Sequence, residues 1–281
     1  MKLLRFGEPG KERPGLLDSQ QQIRDLSSVV DDINGDSLSA ESLAKIAAFD
    51  IESLPVVSNA QRFGPCVGSV GKFICIGLNY VDHCEETGAP VPTEPVVFTK
   101  ATSAITGPDD GIIKPRGSEK LDWEVEMGIV IGREAKYVSE ADAEDYIAGY
   151  CVVHDVSERG FQLERSGQWD LGKGCDTFGP IGPYLVTRDA VKDPLNLNIW
   201  LTVNGKTYQN SNTKNMVFGP AQLVSFLSQY MSLQPGDIIS TGTPPGVGLG
   251  QKPPVYLNVG DKVELGIEGL GEQSQKILPS P

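Results

Sequence analysis

The sequence has little histidine: two in 281 residues, His83 and His154. A zinc centre built from three histidines is therefore excluded. Cysteine is scarce and poorly spaced for metal or disulfide chemistry. Its five copies (Cys66, Cys75, Cys84, Cys151 and Cys175) are odd in number and form no Cys-x-x-Cys pair. Neither a zinc ribbon nor a disulfide framework is expected, and the thiols are read as reduced. Positive charge is short as well, with 24 Lys and Arg against 37 Asp and Glu and a formal net charge of −13. Such a chain is not expected to bind nucleic acid or an anionic membrane, since either partner needs a basic face. No apolar run has the length of a signal peptide or a membrane span, so the expected location is the cytoplasm.

Glycine (32) and proline (20) are plentiful, which suits a strand-rich body with many loops. Residues 1–65 read as a small N-terminal α/β domain. Leu3–Phe6, Gly15–Leu17 and Ile23–Leu26 are short strands, and Ser39 caps a helix from Ala40 to Phe49. Residues 70–281 form the second, larger domain. Lys72–Gly77, Trp123–Ile131 and Ile147–Val153 read as buried strands, and residues 88–95, with three prolines, as a surface loop. Ile199–Val203 followed by Asn204-Gly205 signals a hairpin with a type I′ turn. One helix begins at Pro220 and carries Leu223, Phe226, Leu227, Tyr230 and Met231 at helical spacing. Strands outnumber helices without regular alternation, so the fold class is α+β rather than a doubly wound sheet.

Two carboxylates stand at i and i+2 in Asp122-Trp123-Glu124-Val125-Glu126, ahead of a wholly apolar run. On a strand they share a face, about 7 Å apart at the backbone, and can converge on one cation. By themselves they fit the polar face of a solvated edge strand better than a metal site. Asp155 follows the buried Ile147–Val153 strand, a position common for a metal ligand and also for a turn cap. Three carboxylates without a Cys-His cluster suit a hard, oxygen-preferring ion, Mg²⁺ or Mn²⁺. His83 and Glu86 lie three apart. On a helical turn they can hydrogen-bond, giving either a carboxylate-oriented general base or a surface histidine beside acids.

Five segments occur in a fixed order: Gly-Leu-Asn-Tyr-x-x-His-x-x-Glu (77–86), Asp-Trp-Glu-Val-Glu-Met-Gly (122–128), Asp-Val-Ser-x-Arg-x-x-Gln (155–162), Gly-Lys-Gly-Cys-Asp-Thr-Phe-Gly-Pro (172–180) and Thr-Gly-Thr-Pro-Pro-Gly-Val-Gly (241–248). Together, from about residue 70 to about 270, the chain resembles the fumarylacetoacetate hydrolase family. The resemblance implies a mixed β-roll with a small N-terminal domain, assembled as a homodimer. It implies that Glu124, Glu126 and Asp155 hold Mg²⁺, with Mn²⁺ as a substitute, and that His83 and Glu86 activate water. It implies that Lys173 faces developing negative charge. Arg159, Gln162, Thr243 and Tyr80 would bind the substrate, although Thr243 could belong to a simple turn and Tyr80 to the packing.

The substrate so implied is a small anionic 2,4-diketo acid, cleaved at a carbon–carbon bond to pyruvate and a second carboxylic acid. Bacterial members acting on L-2,4-diketo-3-deoxyrhamnonate or -fuconate, with lactate as the second product, resemble the whole chain. An oxaloacetate decarboxylase, or a related decarboxylase or isomerase working through the same enolate, is the alternative. A catalytically silent scaffold is the third reading.

Overall fold

The short apolar runs at the amino terminus build three strands, β1 (Lys2–Phe6), β2 (Arg13–Leu17) and β3 (Ile23–Asp25), in the computed structural model, which describes residues 1–58 and 61–281. Eleven more strands frame the site. They are β4 (Val56–Val57), β5 (Phe73–Gly77), β6 (Val96–Lys100), β7 (Val125–Ile131), β8 (Ile147–His154), β9 (Leu185–Thr187), β10 (Asn198–Val203), β11 (Lys206–Asn212), β12 (Ile238–Ser240), β13 (Lys262–Ile267) and β14 (Gly271–Leu278). Ten of these fourteen strands form one sheet in the order β4-β3-β2-β1-β9-β8-β7-β12-β5-β6. Its pairs are antiparallel except β12 beside β5. A second sheet runs β11-β10-β13-β14 and ends on Ile112–Ile113.

The main core lies between the two sheets. Val125, Met127, Ile129 and Ile131 of β7 point into it with Val152, and Ile199, Leu201, Val263, Leu265 and Ile277 reply from the second sheet. Each such side chain contributes about 1.5–3 kcal/mol by leaving water. The even-numbered positions of β7 face the other way. Gly128 leaves room there for Val153 and Cys151, whose atoms a Cβ would meet at 2.7 and 2.8 Å. Glu126 shares that parity, so the strand's period of two sets its carboxylate apart from the apolar face.

The first four strands continue the central sheet rather than making one of their own, β1 pairing with β9 through Lys2↔Val186 and Leu3↔Leu185. Leu3, Leu16 and Leu26 share a second core with Phe73, Val130 and Ala148. Among the described residues, no helix is long and apolar enough to cross a membrane.

The five α-helices among the described residues are short: α1 (Ala40–Ala47), α2 (Val81–Thr87), α3 (Arg159–Leu163), α4 (Asp170–Lys173) and α5 (Pro220–Ser228). Ser39 caps α1 by accepting from Ser42 N–H, as expected. Two expectations are corrected. Helix α5 stops before Tyr230 and Met231. The Ser228 hydroxyl turns back onto the Ser225 carbonyl and also receives Val138 N–H, while Gln229 N–H bonds tightly to Phe226. The strand expected from Trp123 starts at Val125, because the Trp123 N–H and indole N–H are taken by Asp122 and Gly246. Asn204 (φ 51°) and Gly205 (φ 78°) make the expected hairpin turn.

Candidate active site

Glu124 enters just before β7, Glu126 lies within it, and Asp155 follows directly on β8. The antiparallel register brings them together: Val125 pairs with His154, and Asp155 N–H donates to the Glu124 carbonyl at 3.0 Å. One carboxylate oxygen from each lies within 4.8 Å of the other two, and all three residues are buried. The sequence spacing thus becomes a three-carboxylate cluster.

Three buried cations surround it. Lys173 Nζ donates to Glu124 Oε2 at 2.6 Å and to Asp155 Oδ2 at 2.8 Å. Lys100 Nζ donates to Asp155 Oδ1 at 2.6 Å and the Val156 carbonyl at 3.0 Å. Arg159 donates to Glu124 Oε1 at 2.6 Å, to Asp122 Oδ2 at 2.8 Å and to Gln162 Oε1 at 3.0 Å. Glu126 instead accepts from neutral donors, Ser240 Oγ at 2.6 Å and Gly242 N–H at 2.9 Å.

The electrostatics follow from these partners. Burial alone would raise the Glu124 carboxyl, but Lys173 and Arg159 overcome it and hold the group at about 2. Burial pushes Glu126 well above the usual carboxylate range, with Asp155 and Glu124 adding like charge. Burial would lower Lys173, and Asp155 and Glu124 reverse that. Four buried carboxylates, Asp122 included, therefore face three buried cations. A divalent cation coordinated by hard oxygens fits this excess, because it would offset the burial and the like charge that together push Glu126 toward its protonated form. His154 does not join the cluster as a ligand: its Nδ1 lies 3.0 Å from Gln275 Oε1, and burial lowers its pKa to about 4.

Helix α2 brings His83 Nδ1 to 2.9 Å from Glu86 Oε2. The other Glu86 oxygen accepts from Gly246 N–H at 2.9 Å. This ties the helix to the Thr241–Gly250 loop. Gly246 has φ +108°, and a Cβ there would meet the Tyr208 carbonyl at 1.9 Å, so the position demands glycine. In the same loop Thr243 Oγ1 donates to the Val125 carbonyl at 2.9 Å and accepts from Gln209 Nε2 at 2.8 Å.

A cavity of about 230 Å³ is lined by His83, Glu124, Glu126, Arg159, Gln162, Lys173 and Thr243 together with apolar residues. Asp155 and Glu86 stand behind this surface, touching it through Lys173 and His83. Tyr80 is fully buried, bridges to Met216 and does not line this cavity, a placement that fits the packing reading.

Sequence reasoning passed over Lys100, Asp122, Gln209 and Ser240. Asp122 stood inside a quoted motif. It anchors Arg159 and accepts Gly248 N–H at 2.6 Å and Leu249 N–H at 3.0 Å. A charged residue abutting a buried apolar strand was the available signal. Lys100, at the end of β6, offered none beyond its position.

The family described as Fumarylacetoacetate (FAA) hydrolase C-terminal matches residues 72–278. A Burkholderia multivorans protein named as a hydrolase is 64% identical over 276 residues, 98% of each chain. Among solved structures, 2-hydroxyhepta-2,4-diene-1,7-dioate isomerase from Mycobacterium marinum is 31% identical, covering 100% of this chain and 99% of its own, with a TM-score of 0.80. Maleylpyruvate hydrolase from Sphingobium sp. SYK-6, solved with manganese(II) and pyruvate, is 28% identical over 100% of both chains, with a TM-score of 0.82.

Proposed function

Because the chain belongs to the fumarylacetoacetate hydrolase family, we propose that it is a Mg²⁺-dependent hydrolase, with Mn²⁺ able to substitute, that cleaves a carbon–carbon bond in an acylpyruvate. The observation that carries this reading is the meeting of two groups at one cavity. A buried carboxylate pair, Glu124 and Glu126, backed by Asp155, lines it together with an imidazole held by its own carboxylate. The manganese and pyruvate in the Sphingobium maleylpyruvate hydrolase support the same reading.

Held by Glu124, Glu126 and Asp155, Mg²⁺ would supply Lewis-acid charge where the 2-keto acid end binds. The remaining chemistry belongs to the side chains. With Nδ1 committed to Glu86, His83 uses Nε2 as its basic nitrogen and takes a proton from water. The hydroxide oxygen bonds to C4 of the 2,4-diketo acid. The C3–C4 bond then breaks, and its electron pair passes to C3 as the enolate of pyruvate. Lys173 and Arg159 place fixed positive charge beside that developing anion, while Thr243 and Gln162 bind the carboxylate end. The proton on His83 returns to C3. One water is consumed, and pyruvate and a second carboxylic acid are released.

The isomerase among the structural neighbours supports a second reading, a decarboxylase or isomerase using the same enolate. Neither of those steps needs water activated by His83, so the two readings separate on that residue. The L-2,4-diketo-3-deoxyrhamnonate and -fuconate named from resemblance are candidate substrates, and a cytoplasmic homodimer is the proposed state.

The deciding experiment couples pyruvate release from an acylpyruvate to lactate dehydrogenase, with and without EDTA. Activity should vanish with EDTA and return with Mg²⁺ or Mn²⁺. Activity that ignores EDTA, or none on any diketo acid, overturns the proposal.

A further inference from the structure

Charged and polar groups make up only part of the cavity wall. Ile76, Leu78, Phe98, Leu163, Trp169 and Leu249 line the rest. The contacts pass without a break from the charged part to the apolar part. Lys173 Nζ lies 5.0 Å from the centre of the Phe98 ring. Phe98 meets Trp169 edge-on, 5.4 Å between centroids and 66° between planes. Trp169 in turn rests on Gly77 at the end of β5, where a Cβ would come within 2.8 Å of its Cζ3. The absence of a side chain at Gly77 is thus what lets the indole lie against the cavity. Leu163, at the end of α3, lines the same cavity and keeps 47% of its surface exposed.

Two ligand chemistries are poorly served by this wall. The two cations lining the cavity are already bound to two carboxylates each, Arg159 to Asp122 and Glu124, and Lys173 to Glu124 and Asp155. Among the described lining residues there is no third Lys or Arg. A carboxylate at the far end of a substrate would be desolvated against carbon without a partner. A hydroxyl on the acyl chain would likewise lose water and gain no hydrogen bond from Ile76, Leu78, Phe98, Leu163 or Leu249, the Trp169 indole N–H being the one side-chain donor among these six residues. An alkyl group instead removes apolar surface from water on both sides. The cavity volume, at the small end for ligand pockets, keeps that group short.

We infer that the acyl group taken by this site is a short, unsubstituted alkyl chain, so that the substrate class is the alkyl acylpyruvates. The inference rests on the acylpyruvate reading above. It departs from the hydroxylated sugar acids suggested by resemblance and from the dicarboxylate that gives the Sphingobium enzyme its name.

The test compares kcat/KM within two matched pairs, using the full chain loaded with Mg²⁺. One pair is propanoylpyruvate and its 5-hydroxy counterpart, the other butanoylpyruvate and succinylpyruvate. In each pair the alkyl member should be better by at least about tenfold. Equal or better turnover of the hydroxylated or carboxylate-ended member overturns the inference while leaving the acylpyruvate reading intact. No pyruvate from any of the four overturns both. Trp169→Ala should raise KM for butanoylpyruvate by about fivefold or more and leave succinylpyruvate as poor as before. Leu163→Ser, at an exposed position, should shift KM in the same direction. Unchanged KM in both variants also overturns the inference.

Discussion

Lys100 Nζ lies 2.6 Å from Asp155 Oδ1 with both side chains wholly shielded from solvent. Removing Lys100 leaves the buried Asp155 with Lys173 as its one remaining cationic partner among the described residues and the Val156 carbonyl without its donor. Lys100→Met is expected to lower stability by about 3–5 kcal/mol, and pairing it with Asp155→Leu should recover part of the loss. Urea denaturation measures both. A loss under about 1 kcal/mol for the single variant would show that the pair is not sealed from water.

The His83–Glu86 contact at 2.9 Å predicts a divided phenotype. His83→Ala should cut acylpyruvate hydrolysis by about 10²–10⁴ in kcat, the usual size of general-base catalysis. Any oxaloacetate decarboxylation should be largely spared. Equal losses in both reactions would mean that the imidazole does something other than activate water.

Metal binding should register without any substrate. Glu126 is pushed toward its neutral form by burial and by Asp155 and Glu124, and a cation bound among the three reverses that. Millimolar Mn²⁺ or Mg²⁺ should raise the melting temperature by at least about 2 °C, since only the folded chain assembles the cluster. The rise should shrink strongly in Glu126→Gln. An equal rise in that variant would place the ion elsewhere.

His154 gives a pH dependence of definite sign. Burial holds its folded pKa at about 4, against 6.5 for an ordinary histidine. Above 6.5 neither state is charged, and His154 contributes no pH dependence. Between 6.5 and 4 the unfolded chain takes up a proton that the folded chain refuses, so stability falls with falling pH. The full effect is roughly 3 kcal/mol. Denaturation midpoints from pH 7.5 to 4.5 should fall along this curve, and His154→Gln should flatten it.

Thiol accessibility offers a simpler check. Cys175 is half-buried, the other four cysteines are buried, and none is in a disulfide. Burial also raises the Cys175 thiol, which lowers its thiolate fraction. Ellman's reagent should label one thiol slowly in the native protein and five after denaturation. Rapid labelling of several native thiols would contradict this packing.

The parts of the site legible in the sequence are those set by local periodicity. Glu124 and Glu126 follow the period of an extended chain, His83 and Glu86 the turn of a helix, and Asp155 the end of an apolar run. Each needs only a few neighbouring residues to be recognised. Lys100, Asp122 and Gln209 act across separations of 55, 37 and 84 residues. Nothing near Lys100 distinguishes a buried lysine from a solvated one, because its partner is supplied by the sheet. The fold divides the same way. The short strands β1, β2 and β3 could be read locally, but β1 joins β9 from the far side of the chain. That pairing extends the central sheet, and no local pattern announces it. Tyr80 differs in the opposite way, since it adjoins the dyad in sequence while the residue itself is fully buried.

Glu86 gives one oxygen to His83 and the other to the amide of Gly246. In the proposed reaction, helix and loop therefore behave as a latch with a single bolt. Were that loop to lift, Glu86 would lose the amide that steadies it, and the imidazole would lose part of what fixes its alignment. Reseating the loop restores both together. Water would then be made reactive only behind a closed door, and an unstable diketo acid would meet hydroxide when it is already held in place.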